Sequence, residues 1–443
     1  MYKLIFLFFI LFYINSSSII TFPFKRIFED ELNPNVSFYE NHFKNNIYTK
    51  IKIGTPNTEL NVQIKLRQYS LCIRNDSIYN YSKSSSYKIN DNNELSIYNK
   101  DFRYSIKSNE TFILGNENIK IEDLKYMLTK ESKYSFDGVL GLQILDNDGK
   151  VWGYNLISQL KYKNIIEKEC FFYIFENNSY NGELIIGQYP HLIDKYKNIY
   201  HEQQFQMTST FIPSYDQYFD FKFRSVFWNG TEVESLSVGH VEIESGIIIG
   251  SMKFCEISWD FFAPHFRKKK CSFADVHVLY ESYICDDYED FDITKFPNIE
   301  FYVNDADYRF ILTYEDIFIK KDGKIYFMIC FNKKGYDVTW NLGNLFLKRN
   351  MIVFDMDRKI MGFYNQNIEY NSPSNYNDNI NNNKNDTKII CLIIIIIIAT
   401  LVIIGLVAFI IINFVYGKRR KKVYELDEDY DYSNPIKIGK DEK

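Results

Sequence analysis

The sequence predicts an all-β protein with two lobes. Its 36 tyrosines and 38 phenylalanines belong to the residue types that are enriched in strands. Short runs of strand-forming residues recur along the chain between turn residues, as in "CFFYIF" (170–175) and "KIYFMICF" (324–331). A chain of 443 residues is long enough to form two lobes with a sizeable core.

Residues 1–18, "MYKLIFLFFILFYINSSS", have the pattern of a signal peptide. A lysine is followed by a short apolar run and then by small polar residues, which is typical of a cleaved leader. The apolar run is short for a membrane span, and an uncleaved N-terminal anchor is the alternative. Residues 19–44 follow, and we interpret them as an N-terminal segment or vestigial propeptide.

The next part of the sequence divides into an N-terminal lobe (45–205) and a C-terminal lobe (206–366). Two segments place apolar residues at three- and four-residue steps and are predicted to be helices, 152–166 and 251–262. Apolar runs with strand character occur in both lobes, including "ELNVQIKL" (59–66), "GELIIG" (182–187), "FDFKFRSVFW" (219–228) and "NMIVFDMD" (350–357).

The C-terminal end predicts a membrane anchor. An Asn-rich linker (367–388) leads into an apolar stretch (389–416) that is longer than the ~20 residues needed to cross a bilayer. The tail (417–443) begins with the basic run "KRRKK", which by the positive-inside rule stays in the cytosol. We therefore expect one transmembrane helix and a type I topology, at a secretory-pathway or cell-surface membrane with the ectodomain luminal or extracellular.

Composition argues against several classes of function. The net charge of −5 is small, and neither a basic stripe nor a phosphate-binding glycine pattern predicts a nucleic-acid partner. The six histidines are scattered and no Cys-x-x-Cys spacing occurs, so we expect no metal site and no cofactor.

Cysteines and sequons fit a luminal ectodomain. Six cysteines lie before the predicted span, an even number that allows three disulfides whose connectivity the sequence alone does not fix. Seven asparagines are candidate N-glycosylation sites, although sequons also arise by chance in an Asn-rich chain: Asn35, Asn75, Asn80, Asn109, Asn177, Asn229 and Asn385.

Both halves of the chain repeat one order of motifs. The first half carries "IKIGTP" (51–56) and "FDGVLGL" (136–142); the second carries "FDFKFRSVFWNG" (219–230) and "WNLGNLFLKRNMIVFDMDRKIMGFY" (340–364). In order and spacing these motifs resemble the pepsin-like aspartic proteases over nearly the whole predicted ectodomain. The resemblance implies a bilobal fold with a central cleft. The overall layout is similar to membrane-anchored members such as beta-secretase and plasmepsin V.

The two catalytic motifs of that family are altered. The resemblance places its first Asp-Thr-Gly triplet on Lys65-Leu66-Arg67 and its second on Glu244-Ser245-Gly246. Lysine thus replaces the first aspartate and glutamate the second. Ser245 is a conservative replacement for threonine and Gly246 keeps the glycine.

These substitutions remove the chemistry of the family. Aspartic proteases use two carboxylates that share one proton, and a charged lysine has no lone pair with which to accept a proton. We predict that Lys65 and Glu244 form an ion pair across the cleft floor. Such a pair would lower the proton affinity of Glu244 and hold it ionised.

Further expectations follow from the resemblance. The flap tyrosine falls on Tyr98 in "IYNKDFRYS" (97–105), where Asn99 and Asp101 replace the glycines of the family motif. A prosegment would bring basic residues to the dyad; only Lys25 and Arg26 are available, so we do not expect zymogen control.

The resemblance also implies a disulfide between Cys285 and Cys330. Proximity along the chain allows a second disulfide between Cys255 and Cys271. The pairing of the remaining ectodomain cysteines, Cys72 and Cys170, stays open, with two free thiols as one alternative.

The functional prediction is an aspartic-protease homologue that has lost catalysis. Its ectodomain would bind a peptide or protein ligand in the cleft, or act as a scaffold. The alternative is an active aspartic endopeptidase with an atypical site that uses Lys65 and Glu244.

Overall fold

Most of the regular secondary structure in the described part of the chain is β-strand, which confirms the prediction of a mostly β fold. The computed structural model describes residues 19–27, 37–44, 46–68, 70–75, 78–95, 105–129, 136–143, 155–177, 179–209, 219–334 and 339–365. The predicted signal peptide, linker, transmembrane helix and tail lie outside these residues.

A sheet of 13 strands dominates the first half of the chain and also takes strands from the C-terminal end. Its strands are β1 Ile20–Ile27, β2 Asn46–Ile53, β3 Thr58–Lys65, β4 Leu71–Arg74, β5 Lys88–Leu95, β6 Ser105–Leu114, β7 Ile119–Thr129, β8 Gly138–Gly141, β9 Cys170–Phe175, β10 Gly182–Ile186, β11 Phe205–Ser209, β23 Ile352–Asp355 and β24 Ile360–Tyr364. Their order is β11-β24-β23-β9-β10-β1-β2-β3-β8-β4-β7-β6-β5. Because β11, β23 and β24 join this sheet, hydrogen bonding crosses the predicted lobe boundary at 205/206.

A second sheet of 11 strands forms most of the other half. Its strands are β12 Asp220–Trp228, β13 Thr231–Val241, β14 Ile248–Ile249, β15 Cys271–His277, β16 Tyr280–Asp286, β17 Ile299–Val303, β18 Arg309–Leu312, β19 Phe318–Lys321, β20 Lys324–Phe327, β21 Ile329–Asn332 and β22 Thr339–Leu342. Their order is β18-β17-β12-β13-β22-β14-β21-β16-β20-β19, with β15 paired to β16.

Five short to medium helices accompany the described sheets: α1 Phe38–Phe43, α2 Leu156–Tyr162, α3 Met252–Arg267, α4 Tyr314–Ile317 and α5 Asn344–Arg349. The two predicted helices correspond to α2, which is shorter than predicted, and α3, which is longer. Helix α3 begins where the sequence indicates, because Ser251 Oγ accepts a hydrogen bond from Phe254 N at 3.2 Å and caps the first turn. The sequence did not predict α1.

Side-chain alternation places one face of each strand in the core. In β2, Ile47, Ile51 and Ile53 are all buried, as expected for a strand with one buried face. Aromatic rings join the two halves of the chain: Phe171 stacks on Phe354 with ring centroids 4.7 Å apart, and Phe219 packs edge-on against both. A single large cluster of buried residues therefore runs through both sheets.

Within the described residues, no helix is both long enough and apolar enough to cross a membrane. The predicted span at 389–416 lies outside that part of the chain, and it stays a prediction.

The disulfide predictions are wrong. Cys271 bonds to Cys285, whereas Cys255 and Cys330 are free. The pairing follows from strand register, because Cys271 and Cys285 face each other directly in the antiparallel β15–β16 pair, with their Cα atoms 4.0 Å apart. Cys330 lies instead in β21, fully buried beside β14. Cys72 and Cys170, whose pairing the sequence left open, are free, and both are buried.

Removing this disulfide should destabilise the protein measurably. The bond closes a loop with a sequence separation of 14, for which loop entropy gives a stabilisation of about 3 kcal/mol. We expect the double change Cys271→Ala/Cys285→Ala to lower the free energy of unfolding by about 2–3 kcal/mol. Denaturant melts of both proteins measure this difference.

The matched control is Cys330→Ala, which removes a buried thiol without touching a disulfide. Non-reducing peptide mapping should recover Cys271 and Cys285 in one cross-linked product. Recovery of Cys330 in a disulfide would contradict the structure.

Candidate functional site

The first altered motif forms a turn between β3 and β4. Lys65 ends β3 opposite Gly141 of β8, and its carbonyl oxygen accepts a hydrogen bond from Leu142 N at 2.9 Å. A Cβ on Gly141 would lie 2.3 Å from the carbonyl oxygen of Gln68. The second glycine of "FDGVLGL", Gly141, is therefore required because the turn 65–68 packs directly against it.

The second altered motif forms the corresponding turn after β13. Ser245 Oγ donates to the carbonyl oxygen of Ile247 at 2.7 Å, and the backbone of Ser245 accepts from Asn344 N at 2.8 Å. A Cβ on Gly343 would lie 2.6 Å from the carbonyl oxygen of Ser245. The "WNLGN" motif thus supports the second turn as "FDGVLGL" supports the first.

The two turns meet. Leu66 N donates a hydrogen bond to Glu244 Oε1 at 3.0 Å, and an Arg67 Nη2 atom lies 3.6 Å from Glu242 Oε2. The other oxygen of Glu244, Oε2, is shielded from solvent, and no hydrogen-bond partner among the described residues reaches it. The residue whose backbone binds Glu244 is thus Leu66, next to the predicted partner Lys65.

The pKa of Glu244 shifts in the direction opposite to the predicted one. Burial, the largest effect, raises the pKa of the Glu244 carboxyl, and the nearby charge of Glu242 raises it further. Arg67 and Lys65 lower this pKa, but they do not outweigh burial. Lys65 therefore acts in the predicted direction without fixing the charge of Glu244, and the ion pair itself stays a prediction.

Helix α1 of the N-terminal segment lies directly on the second turn. Gly246 N donates to the carbonyl oxygen of His42 at 2.9 Å, and a Cβ on Gly246 would lie 2.6 Å from that oxygen. Arg26 Nη2 donates to the carbonyl oxygen of Asn41 at 3.0 Å, so β1 and α1 are tied together beside Gly246. Gly246 is therefore needed here for close approach of the backbone of α1.

Aromatic side chains hold α1 against the 11-stranded sheet. Tyr39 is buried, and its hydroxyl donates to the carbonyl oxygens of Tyr283 at 2.5 Å and Phe327 at 3.0 Å. The ring of Phe38 lies 3.8 Å from that of Tyr326, between centroids. Sequence reasoning missed this helix, although "SFYE" (37–40) is a capping-box pattern and Ser37 Oγ does accept a hydrogen bond from Glu40 N.

A contact between an aspartate and a histidine lies near the two turns. His240 Nδ1 is 2.7 Å from Asp220 Oδ1, and Asp220 is completely buried at the start of β12. Burial raises the pKa of Asp220, while the neighbouring His240 and Arg67 lower it. Arg67 thus lies near three carboxyl groups, those of Glu242, Glu244 and Asp220. Sequence analysis predicted neither these contacts of Arg67 nor the contact between Asp220 and His240.

Residues 46–366 match the family model described as eukaryotic aspartyl protease. The chain belongs to this family. Two similar solved structures are basic 7S globulin from soybean and conglutin gamma, a basic 7S globulin from lupine seeds. Each is 13% identical to this chain, with a TM-score of 0.57. The match to the soybean protein covers 80% of this chain and 98% of the soybean chain. The match to the lupine protein covers 79% of this chain and 95% of the lupine chain. At this identity they show the fold alone. No curated protein sequence matches the chain.

The described centre of this aspartyl protease fold joins the two turns through Glu244, whose Oε1 accepts a hydrogen bond from the amide of Leu66, the residue after Lys65. The reaction of the family uses two carboxylates that share one proton. The assignment of Lys65 and Glu244 to those two positions stays a prediction.

Other predicted site residues are placed as follows. Tyr98 of the flap, Asn35 and Asn385 lie outside the described residues. Asn75 is half-buried, and three further sequon asparagines are exposed: Asn80, Asn177 and Asn229. Asn109 is buried and its side-chain nitrogen donates to Asp123 at 2.9 Å, so it cannot carry a glycan in this fold. Across the described ranges, no group of three or more His, Cys, Asp or Glu residues could hold a metal ion.

Proposed function

We propose that the protein is a membrane-anchored aspartyl protease homologue of the secretory pathway that does not cleave peptides. Its ectodomain acts as a peptide- or protein-binding module or as a scaffold. The observation that carries this proposal is the contact at the centre of the fold, where Glu244 Oε1 accepts a hydrogen bond from Leu66 N and the facing dyad position is Lys65.

Peptide hydrolysis in this family needs a charged carboxylate that takes a proton from water and a second, protonated one that donates to the scissile carbonyl. Glu244 can serve in only one of these roles at a time. A charged Lys65 supplies no acceptor for the proton of the attacking water. The site is therefore suited to holding the two turns together and not to activating water.

The N-terminal segment is bound to the second turn, because Gly246 N donates to the carbonyl oxygen of His42. The two similar structures are named as globulins, and neither name is that of a protease.

The second candidate function is an endopeptidase with an atypical site. The raised pKa of Glu244 favours it, because a buried carboxyl that keeps its proton above the usual range can act as a general acid. This alternative would need Lys65 to lose its proton, which requires a strongly lowered lysine pKa and a nucleophile to activate.

Localisation rests on the two ends of the sequence and on the disulfide. Cys271–Cys285 is typical of proteins that fold in an oxidising compartment. In intact vesicles, we expect added protease to remove the tail that begins with "KRRKK" and to leave the ectodomain whole. A digested ectodomain would reverse the proposed topology.

A cleavage assay of the full chain decides between the two functions. We expect no turnover of a broad peptide library between about pH 3 and about pH 7.5, while the same library is screened for binding. The matched control is Glu244→Gln, which keeps the shape of the side chain and removes its acid–base chemistry. Turnover by the wild type that disappears in Glu244→Gln would establish the endopeptidase instead.

A further inference from the structure

We propose that the contact between the two altered turns is a proton-sensitive joint, which holds the two sheets together more tightly in acid than at neutral pH. The joint consists of Leu66 and Arg67 from the 13-stranded sheet and Glu242 and Glu244 from the 11-stranded sheet. This inference concerns how the fold responds to protons, and it does not depend on whether the protein binds peptides.

The geometry of Glu244 carries the proposal. Its side chain crosses from one sheet to the other, and Oε1 accepts the Leu66 amide hydrogen at 3.0 Å. Oε2 is sealed from solvent, and no described residue makes a hydrogen bond to it. A negative charge with one bare buried oxygen is costly, and a neutral carboxyl in the same place costs much less. Closing the joint therefore favours the protonated form.

The charges around Glu244 oppose each other. Glu242 stands on the same turn and disfavours a second negative charge, whereas Arg67 and Lys65 favour it. Tyr173 of β9 has a buried hydroxyl whose pKa is raised by burial and by the charge of Glu244. That hydroxyl also has no hydrogen-bond partner in the described structure. The effect of burial on the pKa of Glu244 exceeds the opposite effect of the two cations, so this pKa is raised overall.

A second carboxyl close to the joint behaves in the same way. Asp220 is completely buried; its Oδ1 contacts His240, and its Oδ2 has no hydrogen-bond partner among the described residues. The charge of Arg67 on the other sheet lowers the pKa of Asp220, but burial raises this pKa by a larger amount. Burial thus raises the pKa of both buried carboxyls that lie near Arg67.

The direction of the pH effect follows from linkage. A carboxyl whose pKa is higher in the closed protein than in the open one takes up a proton on closing. Its contribution to closure is complete below the ordinary carboxyl pKa and is lost as the pH rises through the raised value. The ion pair of Arg67 with Glu242, 3.6 Å apart, acts in the opposite sense, but it is partly exposed to solvent and contributes little.

Hydrogen–deuterium exchange on the full chain in detergent tests the joint directly. The Leu66 amide donates to Glu244, so its protection reports closure. After correction for intrinsic exchange, we expect peptides that contain Leu66 to be at least about 3-fold better protected at about pH 5 than at about pH 7.5. Equal or weaker protection in acid would overturn the proposal.

Two variants identify the titrating group. Glu244→Gln places a permanently neutral acceptor on the Leu66 amide, and we expect high protection at both pH values. Glu59→Gln, an exposed carboxylate paired with Lys50, is the matched control and should keep the wild-type pH dependence. A pH dependence that survives in Glu244→Gln would assign the effect to another group and refute the joint. If Glu244→Gln does not fold, the wild type decides through the midpoint of its pH profile: a midpoint of Leu66 protection above the ordinary carboxyl range supports the joint, and a midpoint within or below that range overturns it.

Discussion

A variant with Lys65→Asp, Leu66→Thr, Arg67→Gly and Glu244→Asp is expected to cleave peptides at acid pH, whereas the wild type is not. The four changes restore both carboxyls and the Thr-Gly geometry of the first turn. Two carboxylates that share a proton can then hold and activate a water molecule. Peptide hydrolysis at about pH 4, followed by mass spectrometry, measures the gain over the wild type.

The matched control is the pair Lys65→Asp/Glu244→Asp without the turn changes. We expect it to be at least about 10²–10³-fold less active than the four-residue variant, because the turn donors are not preorganised. In this control, Arg67 would still lie beside Glu242 and bias the restored carboxyls toward the ionised form. A folded four-residue variant with no cleavage would contradict the assignment of Lys65 and Glu244 to the two catalytic positions, or would mean that the cleft has changed beyond them.

Tyr39→Ala is expected to detach the N-terminal segment and to lower the free energy of unfolding by about 3–5 kcal/mol. The ring of Tyr39 is buried, and its hydroxyl bonds to two backbone carbonyls of the 11-stranded sheet. Burial raises the pKa of this hydroxyl, so it is a neutral donor at every physiological pH. Denaturant melts give the stability, and limited proteolysis within residues 37–44 reports detachment.

Tyr39→Phe separates the ring from the hydroxyl. It keeps the aromatic packing and removes only the donor, so we expect a loss of about 1–3 kcal/mol from the carbonyls left with fewer partners. Rapid proteolysis should occur in Tyr39→Ala and not in Tyr39→Phe. Equal stability of Tyr39→Ala and the wild type would show that α1 is not docked as described.

The sequence predicted those features that are encoded locally. "FDGVLGL" and "WNLGN" identify the supports of the two turns, because Gly141 and Gly343 are required by contacts with turn residues whose positions the motif order already implies. The same order placed Lys65 and Glu244 at equivalent positions, and the structure brings Glu244 against the residue that follows Lys65.

What the sequence did not predict depends on register and on distant partners. The disulfide follows from which residues of β15 and β16 face each other, and a shift of one residue would have separated Cys271 from Cys285. The charge state of Glu244 depends on how deeply the joint buries it, which no motif reports. The docking of α1 depends on sheet residues far along the chain. In the sequence, the only sign of this six-residue helix is therefore the capping-box pattern at its start.

The bonds from Tyr39 to Tyr283 and Phe327 span 244 and 288 positions of the chain. Translation at about 5–20 residues per second means that α1 emerges on the order of tens of seconds before the backbone that will receive it. During this interval Phe38, Tyr39 and Phe43 have no sheet against which to bury their rings. We therefore expect ribosome-bound intermediates that end before residue 283, in which these rings are not yet buried, to be more prone to aggregate than longer ones.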